Sequence, residues 1–143
     1  VLAEKENWVT LDKEYECLEK FILLHKLRFP KDVINLEVTQ LDDFTNVKVP
    51  PMILITFVEN AFKHGESNGP EAPININLYI DYNQLRYEVS NKIGDNISKN
   101  NNSGIGIPNL KKRLNILYPE KHKLAFAITK THYIAKLEIN LSN

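Results

Sequence analysis

Residues 50–65 read Pro50-Pro51-Met52-Ile53-Leu54-Ile55-Thr56-Phe57-Val58-Glu59-Asn60-Ala61-Phe62-Lys63-His64-Gly65. A proline pair opens a helix here, since proline suits the first turn, where a backbone N–H has no intrahelical partner. Gly65 follows the last turn, a common C-terminal signal. The stretch is apolar almost throughout, so the helix lies against a core. The exceptions Thr56, Glu59, Asn60, Lys63 and His64 recur at i, i+3, i+4, i+7 and i+8, which predicts one polar stripe. If buried, that stripe needs partners, because an unpaired buried polar group costs about 2–7 kcal/mol. A carboxylate, an amide, an ammonium and an imidazole together suit an anionic ligand carrying a cation. The plainer alternative is a polar side turned to solvent.

Upstream, Leu11, Tyr15, Leu18 and Ile22 recur at helical spacing, and Phe21, Leu24 and Leu27 widen the stripe to about Arg28. Thr10 stands at the N-cap, with Asp12 and Glu14 in the first turn, and Pro30 ends the helix. Val33, Ile34, Leu36 and Val38 predict a strand, followed by a turn at Asp42-Asp43 and a short extended Val47-Lys48-Val49. Downstream of the proline-led helix, Ile74, Ile76, Leu78 and Ile80 alternate strictly, as do Leu85, Tyr87 and Val89 beyond the turn Asp81-Tyr82-Asn83, so the two runs form a hairpin. Residues 91–103 are polar and read as a loop. A helix follows Gly104-Ile105-Gly106, with Leu110, Leu114 and Leu117 on its buried side. Two strands close the chain, one through Leu124, Phe126 and Ile128, the other through Ile134, Leu137, Ile139 and Leu141, with a turn near Thr131-His132. The expected architecture is α+β: a two-layer α/β sandwich, its mixed, mostly antiparallel sheet covered on one face by helices.

Composition narrows the functional classes. The 143 residues suit one domain with a real core, at 43% hydrophobic and 25% charged residues. A formal net charge of zero provides no global field for nucleic acid. Cys17 is the single cysteine, which excludes intrachain disulfides and cysteine-rich zinc sites and suits a reducing compartment. No run is long and apolar enough to span a membrane, and the opening Val-Leu-Ala-Glu reads as an excised piece of a larger protein.

Two constellations carry chemistry. In the proline-led helix, Asn60 offers a neutral oxygen to a hard cation such as Mg²⁺, which shares its shell with water and phosphates. Glu59 is the candidate general base, and Lys63 and His64 suit phosphate charge. In the second, Gly104 and Gly106 let backbone amides approach a phosphate at a helix start, with Asn109, Lys111, Lys112 and Arg113 behind them and a polar loop in front as a lid. The same residues also fit a plain turn, a helix start and a solvated basic face. His25, His122 and His132 share no metal-ligand spacing and read as surface residues, and no base accompanies Ser90, Ser98 or Ser103.

Val58-Glu59-Asn60-Ala61-Phe62-Lys63-His64-Gly65 resembles the N box of the GHKL ATP-binding domain, in the form found in LytS-like sensor histidine kinases. Pro50-Pro51 matches the prolines ahead of that box. Gly104-Ile-Gly-Ile-Pro-Asn-Leu-Lys-Lys-Arg-Leu with Tyr118-Pro119 resembles the family's second glycine box and its helix, and Leu11 to Phe29 resembles the helix leading into the domain. The resemblance implies a Bergerat-type sandwich holding Mg·ATP between the N-box helix and a lid. It divides the chain into residues 1–30, a lead-in helix from an upstream dimerisation and phosphoacceptor segment, and residues 31–143, the ATP-binding domain. It implies that Asn60 holds Mg²⁺, that Glu59 is the catalytic base, and that Lys63, His64, Gly104, Gly106, Asn109 and Arg113 line the nucleotide. The family's first glycine box, Asp-x-Gly-x-Gly, is altered here to Asn91-Lys92-Ile93-Gly94-Asp95, so Asn91 stands where the adenine-binding aspartate would be and accepts without charge assistance.

The function so implied is γ-phosphoryl transfer from ATP to a histidine in the upstream segment, then to a response regulator. The parent would be dimeric and anchored in the bacterial inner membrane, with this domain facing the cytoplasm and monomeric by itself. Two alternatives stay open. One is a non-enzymatic GHKL scaffold with weakened nucleotide binding, which the altered glycine box favours. The other is a GHKL ATPase without a histidine acceptor.

Overall fold

The computed structural model describes residues 8–41, 47–64, 73–92 and 106–141. In chain order the elements are β1 (Val9–Thr10), α1 (Leu11–Arg28), β2 (Ile34–Gln40), β3 (Lys48–Val49), α2 (Ile53–His64), β4 (Ile74–Ile80), β5 (Gln84–Lys92), α3 (Gly106–Leu117), β6 (His122–Ile128) and β7 (His132–Asn140). Five strands form one sheet in the order β2-β4-β5-β7-β6. The β2–β4 pair is parallel and the other three pairs are antiparallel. A separate antiparallel ladder joins β1 to β3. Helix α2 packs on β5 and β7, with α1 and α3 against it. The expected two-layer α+β sandwich is what forms.

The alternation in β4, β5 and β7 decides the core. Ile74, Ile76, Leu78 and Ile80 are buried, as are Leu85, Tyr87 and Val89, and Tyr133, Ala135, Leu137 and Ile139. Strand side chains of one parity share a face, so these rows line up beneath the apolar side of α2, which contributes Ile53, Leu54, Phe57, Val58 and Ala61. The β4–β5 turn is closed by Asp81, whose Oδ1 accepts the N–H groups of Asn83 and Gln84, both at 2.8 Å.

Several sequence expectations need correction. In β7 the inward residue is Tyr133, not Ile134: counting back from Leu137 and Ile139 in steps of two reaches Tyr133 and Ala135, and Ile134 falls on the opposite face. In α1 the buried seam is Leu11, Glu14, Leu18 and Ile22. Leu24 and Leu27 are exposed, because they sit roughly 200° and 140° around the helix from Ile22 at 100° per residue. Thr10 occupies the N-cap position without a side-chain capping bond. His25 is no free surface residue: its ring stacks on Phe62 at 4.2 Å, and its Nε2 lies 2.7 Å from Asp32 Oδ2.

Three buried tyrosines give the fold a pH dependence. Burial, and secondarily the charge of Glu14, pushes the Tyr87 phenol well above its usual value; burial alone raises Tyr118. Burial raises Tyr133 to about 12, against the lowering effect of its hydrogen bond with Asn60. These phenols keep their protons in the folded chain at pH values where the unfolded chain, with tyrosines near ~10, has lost them. Folded stability is therefore fully present below about pH 10 and falls as pH rises toward 12. An ultraviolet tyrosinate titration alongside chemical denaturation checks this: ionisation of the three buried phenols should coincide with unfolding.

Candidate functional site

Asn60 lies in the last turns of α2, on the side turned to the sheet, and is 3% exposed. Its Nδ2 donates to the Tyr133 hydroxyl, while its Oδ1 is buried without a hydrogen-bond partner among the described residues. Asn91 is the penultimate residue of β5 and is 2% exposed. Its Nδ2 donates to the Lys92 carbonyl at 3.4 Å, and its Oδ1 has no partner among the described residues. Asn91 and Tyr133 are paired in the β5–β7 register, so the tyrosine that Asn60 bonds sits opposite Asn91 in the sheet. Buried acceptors are nearly always satisfied, and an orphan costs about 1–3 kcal/mol. Among the described residues, two buried neutral oxygens, Asn60 Oδ1 and Asn91 Oδ1, are thus left as acceptors without a partner. Such a pair suits a hard cation at one oxygen and an amino-group donor at the other.

The polar stripe of α2 divides. Asn60 points to the sheet, whereas Glu59, 100° away around the helix, is exposed, and the Thr56 hydroxyl donates to the Met52 carbonyl of its own helix at 2.6 Å. Glu59 is thus placed to meet a group arriving from solvent, not one enclosed beside Asn60. Lys63 and His64 belong to the last turn of α2, and their side chains lie outside the described residues. Gly104 and most of the loop at 91–103 lie outside as well. Gly106 is the first residue of α3, and Asn109 is exposed in its first turn. Arg113 is half-buried, and its Nη1 donates to the Pro51 carbonyl at 3.1 Å, so its guanidinium is engaged at the start of α2.

Sequence reasoning overlooked two residues. Tyr133 was hidden by the more apolar Ile134 beside it, although strict alternation from Leu137 identifies it. Glu14 looked like a dipole-matched acid in the first turn of α1, yet it is buried, with its carboxylate on the backbone of α2. Its place on the Leu11–Leu18 seam was the available signal. Among the described residues, no cluster of three or more His, Cys, Asp or Glu side chains could hold a metal ion.

No protein-family model matches the chain. The sensor histidine kinase/phosphatase LytS of Staphylococcus aureus strain MRSA252 is 35% identical over 66 residues, which are 46% of this chain and 11% of LytS. LytS of strain Mu50 is 33% identical over 66 residues. The chain thus spans about a tenth of the length of the curated relatives it matches. Among solved structures, the Acinetobacter baumannii histidine kinase AdeS superposes with a TM-score of 0.65 at 15% identity, covering 96% of this chain and 68% of AdeS. The nucleotide-free catalytic domain of the histidine kinase ThkA gives a TM-score of 0.59 at 16% identity, covering 93% of this chain and 95% of that domain. At such identities the likeness speaks for the fold. This chain therefore has the fold of histidine kinase catalytic domains over nearly its whole length, and over part of it resembles the LytS sensor kinases in sequence.

Proposed function

We propose that this chain is the ATP-binding catalytic domain of a two-component sensor histidine kinase. The observation that carries the reading is the pair of buried oxygens without a partner among the described residues, Asn60 Oδ1 and Asn91 Oδ1, with Tyr133 bonded to the first residue and paired in register with the second, in a histidine kinase fold. Asn91 accepts from the adenine amino group, and Asn60 supplies one oxygen to Mg²⁺. The remaining ligands of the ion would come from phosphate and water, which Mg²⁺ keeps in such sites. When bound, the metal neutralises charge on the phosphates. Glu59, exposed one residue before Asn60, orients the accepting group. Lys63, His64, Gly104, Gly106 and Asn109 complete the phosphate wall. Catalysis is mainly positioning and charge compensation, as phosphoryl transfer requires.

The acceptor is a histidine in another segment of the longer protein, with α1 as the lead-in from it and residues 31–143 as the nucleotide domain. One neighbouring structure is ThkA in complex with the response regulator TrrA, and a response regulator is the expected onward acceptor here. We place the domain on the cytoplasmic side of a dimeric, membrane-anchored parent. Among the described residues no helix is long and apolar enough to cross a membrane.

A second reading has its own observation. Asn60 is already tied to Tyr133, and Asn91 has no charge with which to grip adenine, which favours a scaffold with weakened nucleotide binding. Calorimetric titration with a non-hydrolysable ATP analogue, with and without Mg²⁺, separates the two. The kinase reading expects Mg²⁺-dependent binding in the micromolar to low millimolar range, and Asn91→Leu should weaken it about tenfold by removing the adenine acceptor. Absence of binding at millimolar nucleotide would reject the kinase reading in favour of the scaffold.

A further inference from the structure

The peptide unit between Pro51 and Met52 is gripped at both ends by charged side chains from two different helices. Glu14 of α1 accepts the Met52 N–H at 2.9 Å with Oε2, and its Oε1 lies 3.4 Å from the Leu54 nitrogen, which also donates to it. Arg113 of α3 donates from Nη1 to the Pro51 carbonyl of that same peptide at 3.1 Å. An anion on the N–H and a cation on the C=O polarise one amide in a single direction, so each bond strengthens the other.

The local backbone shows why the grip is needed. Met52 has a φ of 67°, the left-handed region that a non-glycine residue adopts only when its surroundings impose it. The first turn of α2 contains no acid of its own, and Pro50 and Pro51 provide no capping side chain. Glu14, 38 residues earlier in the chain, acts as the cap for that helix. Its burial at 5% exposure is tolerable because both carboxylate oxygens receive N–H donors. The Met52 carbonyl is also occupied, accepting from the Thr56 N–H and hydroxyl at 3.0 and 2.6 Å.

We propose that Glu14 and Arg113 are positioning residues for the nucleotide site: they clasp the Pro51–Met52 peptide between α1 and α3, so that a displacement of either helix is carried along α2 to Asn60. Asn60 lies eight residues beyond Met52, about 12 Å along a helix rising 1.5 Å per residue, and an α-helix moves as a stiff unit over that distance. The clasp ties together the helix that leads into the domain, the helix that bears Asn60 and the helix that starts at Gly106. The inference deepens the nucleotide-site reading above and rests on it for the role of Asn60.

The test uses the 143-residue chain with Glu14→Gln, Arg113→Met and the double variant, and Tyr118→Phe as a control. Tyr118→Phe removes the phenol's bond to the Lys48 carbonyl, 2.7 Å long, without touching the clasp. One arm needs no nucleotide: amide exchange at Met52 and the NMR signals of the Asn60 side-chain amide. Glu14→Gln should shift the Asn60 signals, and Arg113→Met should speed exchange of the Met52 amide, which Arg113 does not itself touch. The second arm measures affinity for a Mg·ATP analogue. Each single variant should weaken it about fivefold, and the double variant no further, because both act on one peptide. Tyr118→Phe should leave both readouts unchanged. Additive losses, or unaltered affinity in folded Glu14→Gln, would overturn the clasp. If the unmodified chain binds no nucleotide, the functional reading fails, and the first arm alone judges the clasp: static Asn60 signals in Glu14→Gln reject it, and shifted ones uphold it.

Discussion

Asn60→Ala is expected to weaken Mg·ATP binding by about ten- to a hundredfold while changing metal-free nucleotide binding less than about twofold. Tenfold corresponds to about 1.4 kcal/mol, within reach of one lost oxygen ligand to a hard cation. The argument turns on what the side chain does in the folded chain. Its Nδ2 donates to Tyr133, which fixes the rotation of the carboxamide and leaves Oδ1 as an acceptor without a partner among the described residues. Alanine removes that oxygen together with the amide group that faces Tyr133. A stability loss of about 1–3 kcal/mol should accompany the change, so affinity must be measured on variant shown to be folded. Titrations at several Mg²⁺ concentrations give the decisive comparison. Full Mg²⁺ dependence surviving in Asn60→Ala would mean that the cation is held elsewhere.

The largest effect on stability is expected from Phe57→Ala. Phe57 is fully buried at the centre of α2, with ring centroids 5.2 Å from Tyr87 and 6.1 Å from Phe126. Its removal loses the transfer free energy of the ring and opens a cavity between helix and sheet, together about 3–5 kcal/mol. For a domain of this size that lowers the melting temperature on the order of 10 °C. The loss is focused on one joint, because Tyr87 also donates its hydroxyl to the Leu54 carbonyl at 2.8 Å and so pins the first turn of α2 to β5. Denaturant unfolding of Phe57→Ala beside Phe57→Leu checks the assignment, with leucine expected to recover more than half of the difference. Equal losses in the two variants would show that the ring is not packed as described.

Legibility followed the physics of each feature. The α2 helix is readable because its few polar residues recur at helical spacing between two prolines and a glycine, and the β4–β5 hairpin because its apolar residues alternate strictly on either side of a turn. The face of α1 was not, since Leu24 and Leu27 are as apolar as Leu18 and only their angle around the helix separates surface from core. His25 looked like a surface histidine because its partners, Asp32 and Phe62, come from a turn and from another helix. Within the candidate site, Asn60 and Asn91 were named from motif positions, and their burial fits an enclosed ligand. Tyr133 is legible only from parity, because its neighbour Ile134 is the more apolar residue.

The sequence by itself determined the element order, the hairpin, the buried helix behind two prolines and the residue types available for a nucleotide, because these depend on local periodicity and turn chemistry. Tertiary structure alone decided that Asn60 bonds Tyr133, that Tyr133 pairs with Asn91 across the sheet, and that Glu14 and Arg113 share one peptide. Each of these pairs residues far apart in the chain, and strand register and helix packing, not local pattern, bring such residues together.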